Sequence, residues 1–295
     1  MLPQWVILAT LAGVGSNVFN FISRFLLKEK GDATTWAWTF ETLRLIVFVI
    51  LAIFDFRIQF NLHTLILLSL IGLTEVISVF LYMKMHQYSH LSISTILSRT
   101  RLIWIPILGF LFLGERLTNI EYIGIVILFL GLSIAVSPHK LFLDKGAIYA
   151  NLASFVIAIN TILQKQVLPY ASIPVIMIFF SLPSVIIFPF LMKNPKKRLM
   201  DENRQHLIPK LIAVLVNAVA SILLLIALKL GEVSRVNAVY QGMLIIGVLA
   251  GIIFLNERKD IFRKLLGTTV TIIGVILLTQ YSYIRRSKVA SNQKM

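Results

Sequence analysis

The chain has 295 residues, of which 58% are hydrophobic and only 14% charged, with a mean hydropathy of +0.86; soluble domains carry roughly 25% charged residues. A water-soluble fold is excluded: it needs polar side chains to cover its core, whereas this chain repeatedly offers about 20 apolar residues in a row, the length that crosses a bilayer as helix. The absence of cysteine removes disulfides, iron–sulfur clusters, thiolate zinc sites and cysteine nucleophiles, and the net charge of +15 is scattered over loops and tail without a basic stripe carrying stacking aromatics, which argues against a nucleic-acid partner.

Met1 to Thr10 has no basic n-region and no small-residue cleavage site, so it is read as the start of the first span. Apolar runs between charged or Pro/Asn-rich breaks then predict spans at Trp5 to Leu27, Trp36 to Phe54, His63 to Lys84, Leu91 to Leu113 and Asn119 to Ser137. Five more follow at Gly146 to Val167, Ser172 to Met192, Leu207 to Leu230, Ser234 to Leu255 and Ile261 to Tyr281. The one long connection, Lys193 to Lys210, is dense in charge and belongs in solvent. Backbone groups in hydrocarbon must satisfy one another, and spans this long without strand-like alternation form helices, not a barrel. The expectation is an all-α membrane protein of about ten transmembrane helices.

Polar residues inside these spans are the candidates for function, because a charge at a helix centre costs on the order of 2.5 to 3.5 kcal/mol on insertion. The basic residues taken to lie at span depth are Arg24, Arg44, Lys84, Arg99, Arg101 and Arg235, with the acids Glu41 and Glu75. Arg24, Lys84 and Arg235 sit near span ends, where long stems snorkel to the interface. Arg44, Glu75, Arg99 and Arg101 lie deeper and are read as facing a wet cavity or a buried partner. Glu41 and Arg44, three apart on one helix face, either neutralise each other or do not.

Glu75, Ser78 and Tyr82 make one polar stripe on the third span, and Ser94, Ser98 and Arg101 another on the fourth. Asn17, Asn20, Asn160 and Gln164 put amides into the first and sixth spans, where they either line a pathway or bond helix to helix. The candidate cavity residues are Arg44, Glu75, Tyr82, Ser98, Arg99, Arg101, Asn17, Asn20, Asn160, Asn217, Tyr240 and Gln241, with Glu75 the proton-coupling group. Burial raises a carboxyl pKa and a nearby arginine lowers it, so the part Glu75 plays depends on distances. Gly13, Gly15, Ser16, Gly124, Gly131, Gly267 and Gly274 are read as packing residues.

Shifting the sequence on itself by 142 residues lays Leu102 and Ile103 on Leu244 and Ile245, Gly109 on Gly251, and Glu115 and Arg116 on Glu257 and Arg258. After a one-residue insertion, Gly124 and Gly131 fall on Gly267 and Gly274. The same shift lays Glu75 on Asn217 and Arg99 on Gln241, which predicts a cavity symmetric in shape and asymmetric in charge. Residues 1–140 and 141–295 are thus two repeats of five spans. An odd number inverts the second repeat, a design that puts the substrate site near mid-membrane between the repeats.

Each half's fourth span ends in a Leu-x-Glu-Arg turn, Leu113-Gly114-Glu115-Arg116 and Leu255-Asn256-Glu257-Arg258. With ten spans in two five-span halves, Pro106 in the fourth and Ile123-Gly124 opening the fifth, nearly the whole chain resembles an EamA-type member of the drug/metabolite transporter superfamily. The second half departs from the pattern, with Val248 in place of the proline and Asn256 in place of the glycine. The resemblance implies secondary transport of metabolites, amino acids or drugs through a central cavity by alternating access.

The expected function is a secondary transporter of a small anionic or zwitterionic organic metabolite, with Arg44, Arg99 or Arg101 facing the acid group. Its rivals are a multidrug exporter of lipophilic cations and a lipid-linked substrate translocator. An enzyme is not expected, since no nucleophile with a base and no ligand set for a metal stands at membrane depth. The expected partners are a small-molecule substrate and membrane lipid, with no cofactor, in a monomer or homodimer in the plasma (inner) membrane. Loop charge puts the termini outside, the resemblance puts them in the cytoplasm, and the resemblance is followed.

Overall fold

The computed structural model describes residues 3–28, 33–88, 98–136, 145–192, 198, 207–246 and 261–292. The first half comprises α1 (Gln4–Lys28), α2 (Ala33–Phe54), α3 (Leu62–Tyr88), α4 (Arg101–Leu113) and α5 (Asn119–Val136). The second comprises α6 (Lys145–Val167), α7 (Ile173–Leu191), α8 (Leu207–Leu230), α9 (Val233–Gly242) and α10 (Ile261–Asn292). Six of them, α1, α2, α3, α7, α8 and α10, contain a stretch long and apolar enough to cross a membrane. The burial pattern suits that solvent. Ile53, Phe54, Phe190 and Phe262 are exposed while Glu41, Arg44, Arg99, Glu121 and Lys210 are buried, the reverse of what water selects.

The predicted and observed helices coincide closely except at the fourth and ninth and at the end of the tenth, which runs to Asn292 instead of Tyr281. The fourth was expected to run unbroken from Leu91 to Leu113. Instead a 3₁₀ turn at Ser98–Thr100 leads into α4 at Arg101, and 89–97 lie outside the described residues. The ninth, expected to reach Leu255, is interrupted at Met243 after Gly242 and resumes as helix over 244–246, where the Ile246 N–H donates to the Met243 carbonyl at 3.0 Å; 247–260 lie outside the described residues. Thr100 and Gly242 are related by the 142-residue shift, so the same level of each repeat is loosened. Hydropathy does not register this, because an apolar run stays apolar through a 3₁₀ turn.

Helix packing follows the repeat. α1 packs on α8 as α6 packs on α3; α1 on α9 as α6 on α4; and α2 on α8 as α7 on α3. Three pairs meet their own counterparts: α2 with α7, α4 with α9, and α5 with α10. This is the self-complementary pattern of a two-fold axis, here within one chain.

The glycines anticipated as packing residues carry the α5–α10 contact. A Cβ on Gly131 would lie 2.5 Å from the Thr271 nitrogen, one on Gly267 2.4 Å from the Ala135 nitrogen, and one on Gly274 2.6 Å from the Leu128 nitrogen. Backbone approaches backbone there, as small-residue seams between membrane helices allow. Gly114 does different work. Its φ of 65° ends α4 in a left-handed cap, with the Glu115 N–H returning to the Gly109 carbonyl at 3.1 Å. Asn256, at the matching place in the second repeat, is the other residue type that tolerates this conformation; it lies outside the described residues.

Candidate functional site

Three polar centres and one network near the chain ends emerge from this packing. The first centre lies between α2 and α7. The Arg44 guanidinium donates to Glu41 Oε2 at 2.5 Å and to Ser181 Oγ at 3.0 Å, and it stacks between the rings of Phe40 and Phe180, 4.8 and 4.6 Å from their centroids. The Glu41–Arg44 pairing left open by the sequence is therefore made. Glu75 of α3, half-buried, lies within electrostatic range of both, and its carboxylate is 3.3 Å from the Ser78 hydroxyl. One cation thus faces two carboxyl groups, and among the described residues Glu75 shares Arg44 with the closer Glu41.

The second centre clamps α3 to α6. Asn160 Nδ2 donates to the Ile71 carbonyl at 2.9 Å and meets Thr74 Oγ1 at 2.8 Å, while Gln164 Nε2 donates to Asn160 Oδ1 at 2.7 Å. Asn17 does the corresponding work between α1 and α9, with Nδ2 donating to the carbonyls of Gly13 at 2.7 Å and Met243 at 2.8 Å. Of the four amides foreseen either to line a pathway or to bond helix to helix, Asn17 and Asn160 bond between helices and Gln164 braces Asn160 from the same helix.

The third centre lies on the internal axis. Arg99, in the 3₁₀ turn before α4, is buried and donates through one terminal nitrogen to Gln241 Oε1 of α9 at 2.8 Å. These are the same position in the two repeats, so the axis runs through a guanidinium and a neutral amide that hold each other. Around it, the Thr100 hydroxyl and Trp104 Nε1 both converge on Asn151 Oδ1 of α6, at 2.9 and 3.2 Å, and Tyr240 OH lies 2.8 Å from Ser16 Oγ of α1.

The network lies at the face carrying the chain ends and links the repeats. From the turn after α4, Glu115 accepts from the backbone N–H groups of Val233 and Ser234 at 2.6 and 3.2 Å and from the Ser234 hydroxyl at 2.9 Å. That carboxylate caps the N-terminus of α9, where three bare N–H groups and the helix dipole favour an anion. Glu121 accepts from the Thr118 N–H and hydroxyl in a capping box, and Arg235 of α9 joins it at 2.7 and 3.1 Å. Lys165 of α6 donates to the carbonyls of Leu228 and Gly231. Nearby, Ser172 is stitched to Asp55 and Arg57, and Ile58 to Ala171.

Comparison with known proteins adds the context. The model of the EamA-like transporter family matches twice, over residues 3–137 and 144–280. The chain belongs to the EamA-like transporter family. A search of curated proteins returns no match. Among solved structures, one described as "Crystal structure of protein" superimposes with a TM-score of 0.64 at 12% identity, covering 92% of this chain and 96% of that one, a likeness of fold alone. Membership makes this chain an integral membrane transporter for a small molecule, in a family of transporters and not of enzymes.

In this EamA-like chain, the predicted residues divide. Arg44, Arg99, Asn160 and Gln241 are buried and bonded, while Asn17, Glu75 and Tyr240 are partly exposed inside the bundle's polar centres; Asn217, partly exposed on α8, accepts from the Ser221 hydroxyl of the same helix at 3.4 Å. Arg101, half-buried, opens α4. Asn20 is exposed and makes no hydrogen bond among the described residues. The side chains of Tyr82 and Ser98 lie outside the described residues, as do Ser94 and the Leu255–Arg258 turn. Arg235 was expected to snorkel; it instead enters a buried pair, because α9 is covered on all sides and gives its stem no path to the interface. The sequence reading missed Ser181, Asn151, Asn237 and Glu121. Only Glu121 carried a local signal, the Thr118-x-x-Glu121 box.

Proposed function

We propose that this chain is a secondary transporter that carries a small anionic or zwitterionic organic metabolite through the bundle centre by alternating access, with proton coupling through Glu75. The observation that carries the reading is the Arg99–Gln241 contact. A buried guanidinium placed on the axis between inverted repeats meets a neutral amide there, and such a group belongs to a pathway more readily than to a scaffold. Arg101, two residues on at the start of α4, is a second arginine at this level of the bundle. Arg44 contributes to the same centre indirectly: by neutralising Glu41 it leaves Glu75 to gain or lose a proton as the neighbouring helices move.

The loosened turns at 98–100 and 242–243 lie at matching heights, which suits helices that must bend as the two faces open in turn. We place the chain in the plasma (inner) membrane with cytoplasmic termini, following the family pattern. Proteoliposomes provide the test. Uptake of radiolabelled amino and organic acids is expected to rise with an imposed proton gradient, to lose that dependence in Glu75→Gln and to fall at least tenfold in Arg99→Gln. Flux unchanged in both variants would refute the assignment.

A further inference from the structure

α9 is a polar helix in the most enclosed place in the bundle. Its ten residues include Ser234, Arg235, Asn237, Tyr240 and Gln241, yet it packs on α1, α4, α5, α6, α8 and α10. A membrane protein places such a helix inside only if its polar groups find partners there. Most do: Ser234 meets Glu115, Arg235 meets Glu121 and Glu232, Tyr240 meets Ser16, and the Gln241 carboxamide oxygen meets Arg99.

Two donors remain. Gln241 Nε2 and Asn237 Nδ2 belong to side chains of residues only 2% and 5% exposed, and neither reaches an acceptor among the described residues. The orientation of the Gln241 amide is fixed by chemistry. A guanidinium has donors and no acceptor, so the carboxamide oxygen must face Arg99 and the NH₂ must point elsewhere. Asn237 precedes Gln241 by four residues, one helical turn, so both amides lie on one face of α9 with Cβ atoms about 6 Å apart. Buried donors without acceptors are costly, and native proteins retain them where something else supplies the oxygen.

We propose that the NH₂ groups of Asn237 and of Gln241, the latter turned outward by its oxygen's bond to Arg99, form a site for the carboxylate of a small organic acid, with Asn237 as a specificity-determining residue. This rests on the transporter reading and narrows its substrate class. The two NH₂ groups match the two oxygens of a carboxylate. The Gln241 oxygen is already taken by Arg99, so that amide offers a ligand its NH₂. A primary amide of the same shape brings one oxygen and a competing NH₂, so the acid is favoured over its amide. Discrimination of this kind is large where buried polar groups would otherwise stay unpaired.

The test uses the full-length chain in proteoliposomes with matched pairs of probes, amino acids and short monocarboxylic acids against their primary amides, read by competition for flux and by ligand-dependent melting of the purified protein. Wild type is expected to prefer each acid it recognises over the amide by at least tenfold. Asn237→Leu, close in volume and without the donor, is expected to melt at or above the wild-type temperature without ligand while its response to acids weakens at least tenfold. Asn237→Asp, isosteric and opposite in polarity, is expected to lose the acid response. Equal responses to acids and amides in wild type, or an acid response in Asn237→Leu within twofold of wild type, would overturn the proposal and leave the transporter reading standing. So would a lower ligand-free melting temperature in Asn237→Leu, since that assigns the side chain to the scaffold. If no probe binds or moves, both fall.

Discussion

Arg44 and Arg99 are both buried arginines near the centre of the bundle, and they are held in opposite ways. Arg44 has a carboxylate, a hydroxyl and two aromatic faces around it, all from α2 and α7. Arg99 reaches across to a neutral amide, at the position its own repeat would assign to a copy of itself. An arginine locked to a carboxylate on its own helix is part of the frame; one that reaches across the internal axis to the other repeat stands where the substrate site of an inverted-repeat transporter lies. The difference predicts that substitutions at the two sites will separate stability from transport.

The largest effect is expected at Arg44. Replacing it by alanine strands the buried Glu41 carboxylate, and breaking a buried pair from one side costs about 3–5 kcal/mol. The variant should melt far below wild type or be recovered in poor yield. Glu41→Gln combined with Arg44→Met removes both charges and should regain most of that loss, read by thermal melting in detergent. If Arg44→Ala melts like wild type, Arg44 belongs with Arg99 and the contrast dissolves.

Arg235 comes next. Its partner Glu121 is fully buried, but the Thr118 capping box continues to satisfy that carboxylate when the arginine is gone. Arg235→Met is therefore expected to cost less than Arg44→Ala, about 2–3 kcal/mol by the range for truncating one side of a buried charge pair. The cysteine-free background offers a second measurement. A cysteine introduced at position 117, in the turn before α5, should label faster in Arg235→Met than in the otherwise unchanged chain, because the N-terminal turn of α9 has lost its tether. Under the 142-residue shift Arg235 falls on Ile93, so this tether has no sequence counterpart in the first repeat.

At Arg99 the expected effect passes from stability to function. Arg99→Gln still offers an N–H to Gln241, so the melting temperature should correspond to a change within about 1 kcal/mol, while flux of the acid substrate falls at least tenfold, about 1.4 kcal/mol in the apparent barrier. The variant also makes the two repeats identical at the axis, isolating the charge as the only difference. A melting loss as large as that of Arg44→Ala would show that Arg99 is framework too.

How much of this was readable beforehand follows from how far apart the partners lie in the chain. The ten helices, the repeat and the glycine seam all rest on local or periodic patterns, and these were legible in the bare sequence. So was Glu41–Arg44, because three residues along a helix is one face. Arg235–Glu121 spans 114 residues and Arg44–Ser181 spans 137, distances at which the sequence has no local rule. Arg235 was misjudged for a related reason: its place near a span end suggests an interface, but the cover that six helices give α9 exists only in three dimensions. Asn237 carries no local signal in the sequence: its counterpart under the shift is Thr95, so the repeat does not mark it.

The smallest effect expected is at Glu115, and it tests the network near the chain ends against both arginine centres. Its carboxylate holds three donors at the start of α9, two of them backbone N–H groups that no substitution at α9 can remove. Glu115→Gln keeps an acceptor oxygen and loses the charge that suits a helix N-terminus, so the cost should be near 1 kcal/mol, the ordinary value of a cap and its dipole term. Glu115→Ala should cost somewhat more, because the donors then lose their acceptor altogether. Neither should change the acid-over-amide preference, since Ser234 and Asn237 are three residues apart and the cap acts on the end of α9, not on the amides farther along it. Specificity altered by Glu115→Gln with little change in melting would mean that the cap sets the axial position of α9, and that the network and the Arg99 centre work as one device.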